Sequence, residues 1–254
     1  MINPTADAPN VVRGTHEDAA EILRWLKAEF DVNHEGFWNN RNIVERAVDN
    51  EELWVIREDG RAVAFLVGGY APDILNVRQD RQRRGLGEAL FAAALARAEA
   101  ANVVVLNITC MPPTSLPFWR RMGFEPIGPV SEWEEIPARR VLGRSFALPA
   151  DLPRVTVEVG FYQERAVHVD GVEPFEVQTL SGAVATGGEI ALERRVIGLS
   201  PDAGDLVVKL VVDGKVLCFD KAKYPKPEAL GFWRTPDGAF VIDVVEPART
   251  SGGD

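Results

Sequence analysis

A short segment rich in arginine and glycine carries the residues best suited to chemistry. It places four arginines and two glycines just before a helical run, in the order Val77-Arg78-Gln79-Asp80-Arg81-Gln82-Arg83-Arg84-Gly85-Leu86-Gly87. The start of a helix bears about half a positive charge and backbone N–H groups without partners, so arginines there are best tolerated if an anion binds. Gly85 and Gly87 let the main chain approach that anion because they lack a Cβ atom. The segment therefore predicts a pyrophosphate site.

The elements around this segment predict a mixed α/β region. Thr15 and Asp18 have the spacing of a capping box, and apolar residues at helical spacing follow, so a helix is expected from His16 to Phe30. The turn at 58–60 predicts a hairpin. A nearly continuous apolar run at 102–109 is typical of a buried parallel strand. Further helices are expected at 41–48, 85–100 and 115–122, and further strands at 53–57, 61–69, 73–77 and 124–130.

After about Phe146 the sequence changes character. A stretch with two prolines, 147–153, predicts a linker, and no convincing helix follows it. Alternating apolar residues and the hairpin signal Asp213-Gly214 indicate short strands, whose spacing predicts a β-sandwich or a small barrel. We therefore expect an α/β domain at 1–147, with a mixed sheet and flanking helices, and an all-β domain at 148–254 with a disordered tail at 246–254. The strands expected in the second domain lie at 155–161, 172–180, 190–199, 206–212, 215–219, 232–234 and 239–245.

The composition is that of a soluble globular protein, with 46% hydrophobic and 26% charged residues. The polar start of the chain and the lack of an apolar run of about 20 residues indicate neither a signal peptide nor a membrane helix, so a cytoplasmic location is expected. A net charge of −10 argues against general nucleic-acid binding and favours cationic substrates. The two distant cysteines predict no disulfide framework, and the three scattered histidines predict no metal site.

The order of strand, arginine loop, Gly-x-Gly helix, buried strand and aromatic helix resembles that of the GNAT acyltransferases. Gln82-Arg83-Arg84-Gly85-Leu86-Gly87 is similar to their central signature, Gln/Arg-x-x-Gly-x-Gly/Ala. Phe118-Trp119-Arg120-Arg121-Met122-Gly123-Phe124 is similar to their later signature, an aromatic pair followed by Gly-Phe. The resemblance covers about residues 11–130 and does not extend to the β-rich half.

The resemblance implies an N-acetyltransferase that moves an acetyl group from acetyl-CoA directly to an amine, on a small molecule or a peptide. The pyrophosphate would lie on backbone N–H groups between Gln82 and Gly87. The pantetheine arm would pair with the strand ending at Val77, which would be splayed from the next strand near Asn107. Which of the four arginines reach the phosphates stays open. The cofactor residues implied are Val77, Gln82, Arg83, Arg84, Gly85, Leu86, Gly87 and Trp119.

The catalytic residues match the GNAT pattern less closely. In many GNAT enzymes a tyrosine of the aromatic pair protonates the departing thiolate, whereas this chain has Trp119, whose indole N–H is no useful acid at neutral pH. Trp119 then packs in the core or against the cofactor. Asp73 begins the strand before the arginine loop, and it is either the general base, acting through a water, or a turn residue. Cys110 as a nucleophile and His34 as an acceptor contact are alternatives. Phe37 and Trp38, beside His34, either wall the acceptor pocket or anchor the loop.

The missing tyrosine also admits a second hypothesis. The chain would then be an acyl-CoA sensor or scaffold of weak catalytic activity, whose β domain binds a partner. A third hypothesis makes the β domain the active part, through capture of a protein partner or formation of a homo-oligomer. The acceptor cannot be named, because acceptor loops carry no readable code.

Overall fold

The computed structural model describes residues 9–34, 36–130, 133–201 and 205–247. The chain divides into two compact units, Met1–Val141 and Leu142–Asp254. The boundary expected after residue 147 therefore lies inside the second unit. The reason is local pairing: the Phe146 N–H donates a hydrogen bond to the Glu193 carbonyl at 2.8 Å, and Ser145 forms a β-bridge with Arg194. These residues already belong to the second unit's sheet.

The first unit contains two small antiparallel sheets with helices on both faces of the larger one. Its strands are β1 (Val11–Arg13), β2 (Leu53–Glu58), β3 (Arg61–Val67), β4 (Ile74–Val77), β5 (Val105–Cys110), β6 (Glu125–Pro126) and β7 (Ile136–Val141), and its helices are α1 (His16–Asn33), α2 (Arg41–Asp49), α3 (Leu86–Ala100) and α4 (Leu116–Arg121). The sheets have the orders β1-β2-β3-β4 and β5-β7-β6. α1 and α2 pack against β3 around Leu26 and Phe65, and α3 packs on the other face around Leu90 and Ile56. The predicted mixed α/β fold with flanking helices is confirmed.

The first helix, α1, begins with the predicted capping box. Thr15 Oγ1 accepts a hydrogen bond from the Asp18 N–H at 3.3 Å, and Asp18 Oδ2 accepts one from the Thr15 N–H at 2.8 Å. The Asp18 carboxylate also accepts a hydrogen bond from Arg57 Nε on β2 at 2.7 Å. Burial opposes the charge of Asp18, but the hydrogen bonds from Arg57 and Thr15 outweigh it and lower the pKa of the carboxyl below its ordinary value. The start of α1 is thereby joined to the sheet.

The strands β4 and β5 lie at the edges of different sheets. β4 pairs with β3, and β5 pairs antiparallel with β7, with Val105 opposite Val141. The prediction of a buried parallel strand at 102–109 is wrong in its pairing and its burial, because Asn107 and Thr109 are exposed and alternate with buried neighbours. The strand expected at 124–130 is only the two-residue β6, and β7 is not predicted at all. No ladder joins β4 to β5 in the described residues, which agrees with the splayed strands that the resemblance implies.

The second unit is built on one antiparallel sheet of seven strands. These are β8 (Arg154–Tyr162), β9 (Glu176–Val184), β10 (Ile190–Gly198), β11 (Val207–Val212), β12 (Lys215–Lys221), β13 (Trp233–Arg234) and β14 (Phe240–Val245), in the order β12-β11-β8-β9-β10-β14-β13. A single buried cluster reaches from Cys218 on β12 to Ile242 on β14, so the sheet curls around one core as a half-barrel. The predicted all-β region is confirmed, and its form is closer to the barrel than to the sandwich.

Local features of the second unit can be compared with the predicted hairpin, the expected lack of helices and the expected disordered tail. The hairpin between β11 and β12 turns at Asp213-Gly214 with φ of 46° and 78°, as a two-residue hairpin requires. A five-residue helix, α5 (Pro225–Ala229), contradicts the expectation that no helix follows the linker; proline is tolerated in a first turn, where its missing N–H has no partner to lose. The tail expected to be disordered lies outside the described residues from 248 onward, whereas the Glu246 N–H donates to the Leu230 carbonyl at 3.1 Å. In the described ranges, no helix has both the length and the apolar character that crossing a membrane demands.

Candidate active site

A cavity of about 790 Å³ opens in the first unit between β4 and β5. Both strands contribute to its wall, through Leu75 and Val77 of β4 and Thr109 of β5. Among the residues predicted to hold the cofactor or to act as the general base, only Arg84 does not line it. The predicted residues that do are Asp73, Val77, Gln82, Arg83, Gly85, Leu86, Gly87 and Trp119. Positions as far apart in sequence as Asp73 and Trp119 therefore share one cavity.

The start of α3 provides hydrogen-bond donors without protein acceptors. Gly85 precedes the helix in the left-handed conformation, with φ of 78°, and the first helical hydrogen bond runs from the Ala89 N–H to the Gly85 carbonyl at 3.0 Å. In the described residues no side chain caps this helix, and the N–H groups of Leu86, Gly87 and Glu88 donate to no protein acceptor. A Cβ atom on Gly85 would meet no other atom within 4 Å, so the space beside the turn is open. We call these three N–H groups the amide cradle.

The four arginines before α3 divide into two pairs with different roles. Arg78 Nε lies 2.6 Å from Asp80 Oδ1, and Arg81 lies 2.7 Å from Glu58 and 2.6 Å from Asp80. The Arg78 guanidinium holds the pKa of Asp80 below its ordinary value. These ion pairs fix the loop to itself and to β2, so Arg78 and Arg81 are positioning residues.

Arg83 and Arg84 form no ion pair within the described ranges. Arg84 Nη2 makes one long contact of 3.4 Å with the Asp80 carbonyl, and Arg83 lines the cavity. Of these four arginines, Arg83 is therefore the one that both lines the cavity and lacks an ion pair in the described residues.

Two side chains hold the arginine loop in place. Gln82 Nε2 donates a hydrogen bond to the carbonyl of Val77, the last residue of β4, at 3.1 Å. Glu29 of α1 accepts a hydrogen bond from the Gln79 N–H at 2.8 Å. Burial raises the pKa of Glu29, and this hydrogen bond only partly opposes the rise. The side chain of Gln82 thus closes the loop onto β4.

An aromatic cluster around α4 forms part of the cavity wall. Trp119 is buried, and its ring centroid lies 4.9 Å from that of Phe118 and 5.4 Å from that of Phe124, both in edge-to-face contacts. Phe118 carbon atoms lie 3.5 Å from where a Cβ on Gly87 would stand, so this ring borders the cradle. Trp119 therefore packs as a core residue with part of its surface on the cavity.

Asp73 stands at the start of β4 and keeps a free carboxylate. Its N–H donates to the Val67 carbonyl at 2.9 Å, and no cation pairs with its side chain in the described part of the chain. Desolvation by the cavity wall, followed by repulsion from Glu52, raises the pKa of Asp73 above its ordinary value. A carboxylate with a raised pKa in a cavity has the character of a general base.

Two alternative candidates are less well placed. Cys110 is fully buried and absent from the cavity wall, and burial raises the pKa of its thiol, so the nucleophilic thiolate is disfavoured. His34 does not line the cavity; its ring packs against Phe30 at 5.6 Å. Phe37 does line the cavity. The described residues include no cluster of three or more metal-binding side chains.

Sequence reasoning missed several residues of the cavity wall. The most informative is Ser115, whose Oγ is buried and has no hydrogen-bond partner in the described residues. A serine before a short helix looks like an ordinary cap, so no signal in the sequence could have marked it. The other missed residues include Asn40, Ile43, Met111 and Glu135.

Residues 49–126 match the family model described as an acetyltransferase (GNAT) domain. Solved structures similar to the chain include a GCN5-related N-acetyltransferase from Rhodopseudomonas palustris, with 18% identity over 55% of this chain and 99% of that chain and a TM-score of 0.40. A GNAT-family acetyltransferase from Bacillus cereus has 17% identity over 52% and 96%, with a TM-score of 0.41. The PaiA N-acetyltransferase from Thermoplasma acidophilum, solved in complex with coenzyme A, has 9% identity over 52% and 98%, with a TM-score of 0.41.

The family match confirms the resemblance to the GNAT acyltransferases over residues 49–126. At the level of the family it supports acyl transfer from acetyl-CoA. The matched segment includes β2 to β6 and ends before the second unit.

Proposed function

We propose that the first unit transfers an acetyl group from acetyl-CoA directly to an amine on a small molecule or a peptide. The observation that carries this proposal is the amide cradle, which offers three N–H donors beside open space at the positive end of a fifteen-residue helix. Arg83 adds an unpaired positive charge at the same wall. Backbone amides and a cation together suit a diphosphate, so the residues present fit coenzyme A.

The remaining cavity residues suit an amine acceptor. Acetyl-CoA supplies the acetyl group and a thiolate leaving group. Asp73 accepts the proton that the acceptor ammonium must lose before attack, through one bridging water. Asp73 and Glu135 also give the cavity negative charges that attract a cationic acceptor. The thiol of Cys110 is buried outside the cavity wall, so it is badly placed to accept the acetyl group. Its position favours direct transfer from acetyl-CoA to the amine.

The alternative is a CoA-binding sensor or scaffold with weak catalysis. It is favoured by Trp119, whose buried ring offers no acid to the leaving group. In that case the second unit would bind a partner or mediate self-association. We also propose a cytoplasmic location, in keeping with the absence of any expected disulfide framework.

Calorimetric titration with acetyl-CoA and a product assay together test the proposal. The enzyme hypothesis expects saturable binding and acetylated product, identified by mass spectrometry, from at least one member of a panel of amines and peptides. Asp73→Asn should lower turnover by about 100-fold to 10,000-fold and leave the affinity for acetyl-CoA unchanged, because Asp73 begins β4 and is not part of the cradle. Binding without product from any acceptor would support the sensor, and no binding at all would refute both hypotheses.

A further inference from the structure

One side chain of the cavity wall has a hydrogen-bonding capacity that the fold does not use. Ser115 ends the 3₁₀ turn Pro113–Ser115, and its N–H donates to the Pro112 carbonyl at 2.9 Å. Its Oγ is buried and finds no partner among the described residues, and it does not cap α4. Buried hydroxyls are almost always hydrogen-bonded, so an unpaired one on a residue of the cavity wall points to a ligand as the missing partner.

The position of Ser115 in the wall places that partner near the reacting end of the acyl donor. Ser115 lies one helical turn before Phe118, and residues three apart share a face of a helix. The Phe118 ring borders Gly87 at the cradle. Thr109 and Met111, at the end of β5, belong to the same wall. Ser115 therefore belongs to the part of the wall between the phosphate end of the cavity and the end of β5, where a thioester extending from the cradle would pass.

A hydrogen-bond donor at this place would assist acyl transfer. When the carbon–sulfur bond of a thioester breaks, the sulfur carries away a negative charge, and a preorganised hydrogen-bond donor stabilises that charge most where water is excluded. Trp119 is enclosed by aromatic rings, and the thiol of Cys110 lies outside the wall. A serine hydroxyl has one rotatable donor and stays protonated at neutral pH.

We propose that the Ser115 hydroxyl donates a hydrogen bond to the sulfur of the acyl donor and stabilises the departing thiolate. The carbon–nitrogen bond forms as the carbon–sulfur bond breaks, the amine proton passes to water near Asp73, and the thiolate takes its proton from solvent. Ser115 keeps its own proton throughout. This inference rests on the proposed function, since it needs coenzyme A in the cavity.

The pKa of the thiol of bound coenzyme A tests this role without turnover. The thiolate absorbs in the ultraviolet, so its titration can be followed in wild type, in Ser115→Ala and in the control Thr114→Ala. Thr114 lines the same cavity but is an exposed residue, so its hydroxyl is not one of the buried atoms without a partner in the described residues. We expect Ser115→Ala to raise the midpoint by about one pH unit, because a hydrogen bond to a charged group is lost. Thr114→Ala should leave the midpoint where it is in wild type. Turnover by Ser115→Ala should fall about 10-fold to 100-fold.

Two further measurements separate this role from a structural one. The affinity for desulfo-coenzyme A, which lacks the sulfur, should be equal in wild type and Ser115→Ala. Without ligand, Ser115→Ala should unfold at the same or a higher urea concentration, because it removes a buried hydroxyl that has no partner. An unchanged thiol midpoint in Ser115→Ala, with coenzyme A bound, overturns the inference and leaves the proposed function standing. Failure of wild type to bind coenzyme A overturns both.

Discussion

Replacing Gly85 by glutamate should separate the cost of backbone strain from the loss of the cradle. Gly85 has φ of 78°, and a Cβ there meets no atom within 4 Å. Gly60, in the turn between β2 and β3, has φ of 76° and the same open surroundings, but it does not line the cavity. A side chain in this left-handed conformation costs about 1–2 kcal/mol. Gly85→Glu and Gly60→Glu should therefore lose similar amounts of stability without ligand.

The two variants should differ sharply once acetyl-CoA is present. A carboxylate about 5 Å from one phosphate charge, at an effective dielectric constant of about 20, is repelled by about 3 kcal/mol. This repulsion lowers the affinity for acetyl-CoA by more than about 100-fold. Wild type and Gly60→Glu, at a ligand concentration about 100 times the wild-type Kd, gain about 2.7 kcal/mol of stability. In Gly85→Glu the same concentration is near or below the new Kd, so the gain falls to about 0.4 kcal/mol or less.

Urea unfolding followed by tryptophan fluorescence measures these gains in the relevant unit, because five of the six tryptophans lie in the first unit. Calorimetry on wild type sets the ligand concentration. Two results would refute the reasoning: a Gly85→Glu variant stabilised by acetyl-CoA as strongly as wild type, or an equal loss of stabilisation in Gly60→Glu. The first would show that the phosphates lie elsewhere, and the second that the loss reflects general damage to the unit.

Three further predictions follow from the same contacts. Arg83→Gln should weaken acetyl-CoA binding about tenfold in calorimetry and leave the urea midpoint unchanged, because Arg83 has no ion pair to lose; an unchanged affinity would remove Arg83 from the site. Asp18→Asn should cost about 3 kcal/mol at neutral pH, because it leaves Arg57 without its partially buried partner. The folded-state pKa of Asp18 is lowered, so the difference in unfolding free energy between wild type and Asp18→Asn should be fully present above the ordinary pKa of an aspartate. It should shrink as the pH falls through the folded-state pKa. A difference in unfolding free energy that does not depend on pH would contradict this assignment. For Asp73, whose pKa is raised, kcat/KM of wild type should rise with pH through a pKa above the ordinary value, and Asp73→Asn should lose that limb; a limb retained in the variant would exclude Asp73 as the base.

Features of the fold that depend on neighbouring residues are predictable from the sequence. The capping box of Thr15 and Asp18 sets the start of α1 through contacts within one turn. Asp213-Gly214 sets a hairpin through two backbone conformations that few residues adopt easily. The amide cradle is also set by residues close together in the sequence, namely Gly85 and the helix that it precedes. The spacing of these residues is therefore enough to locate it.

Features that depend on distant partners escape the sequence. β7 contains a proline and two adjacent arginines, so it shows no alternation typical of a strand, and it forms because β5 provides a ladder for it. The division of the arginines is of the same kind: Arg81 is held by Glu58, which lies 23 residues earlier, whereas Arg83 has no such partner. A pattern of charges along the chain does not record which of them are already neutralised in the fold.

The unpaired edges of β4 and β5 explain why one cavity can hold both the cradle and the catalytic candidates. Each strand is paired on one side only, by β3 and by β7, so each has a row of backbone groups that the described sheets leave without a ladder partner. A ladder between them would satisfy those groups and would also close the space that Val77 and Thr109 now line. Gln82 Nε2 donates a hydrogen bond to the Val77 carbonyl at 3.1 Å, so the unpaired edge of β4 stops at the arginine loop. Under the proposed function, an extended ligand with amide groups would replace the missing strand up to that point, and its phosphates would lie in the cradle at Gly85.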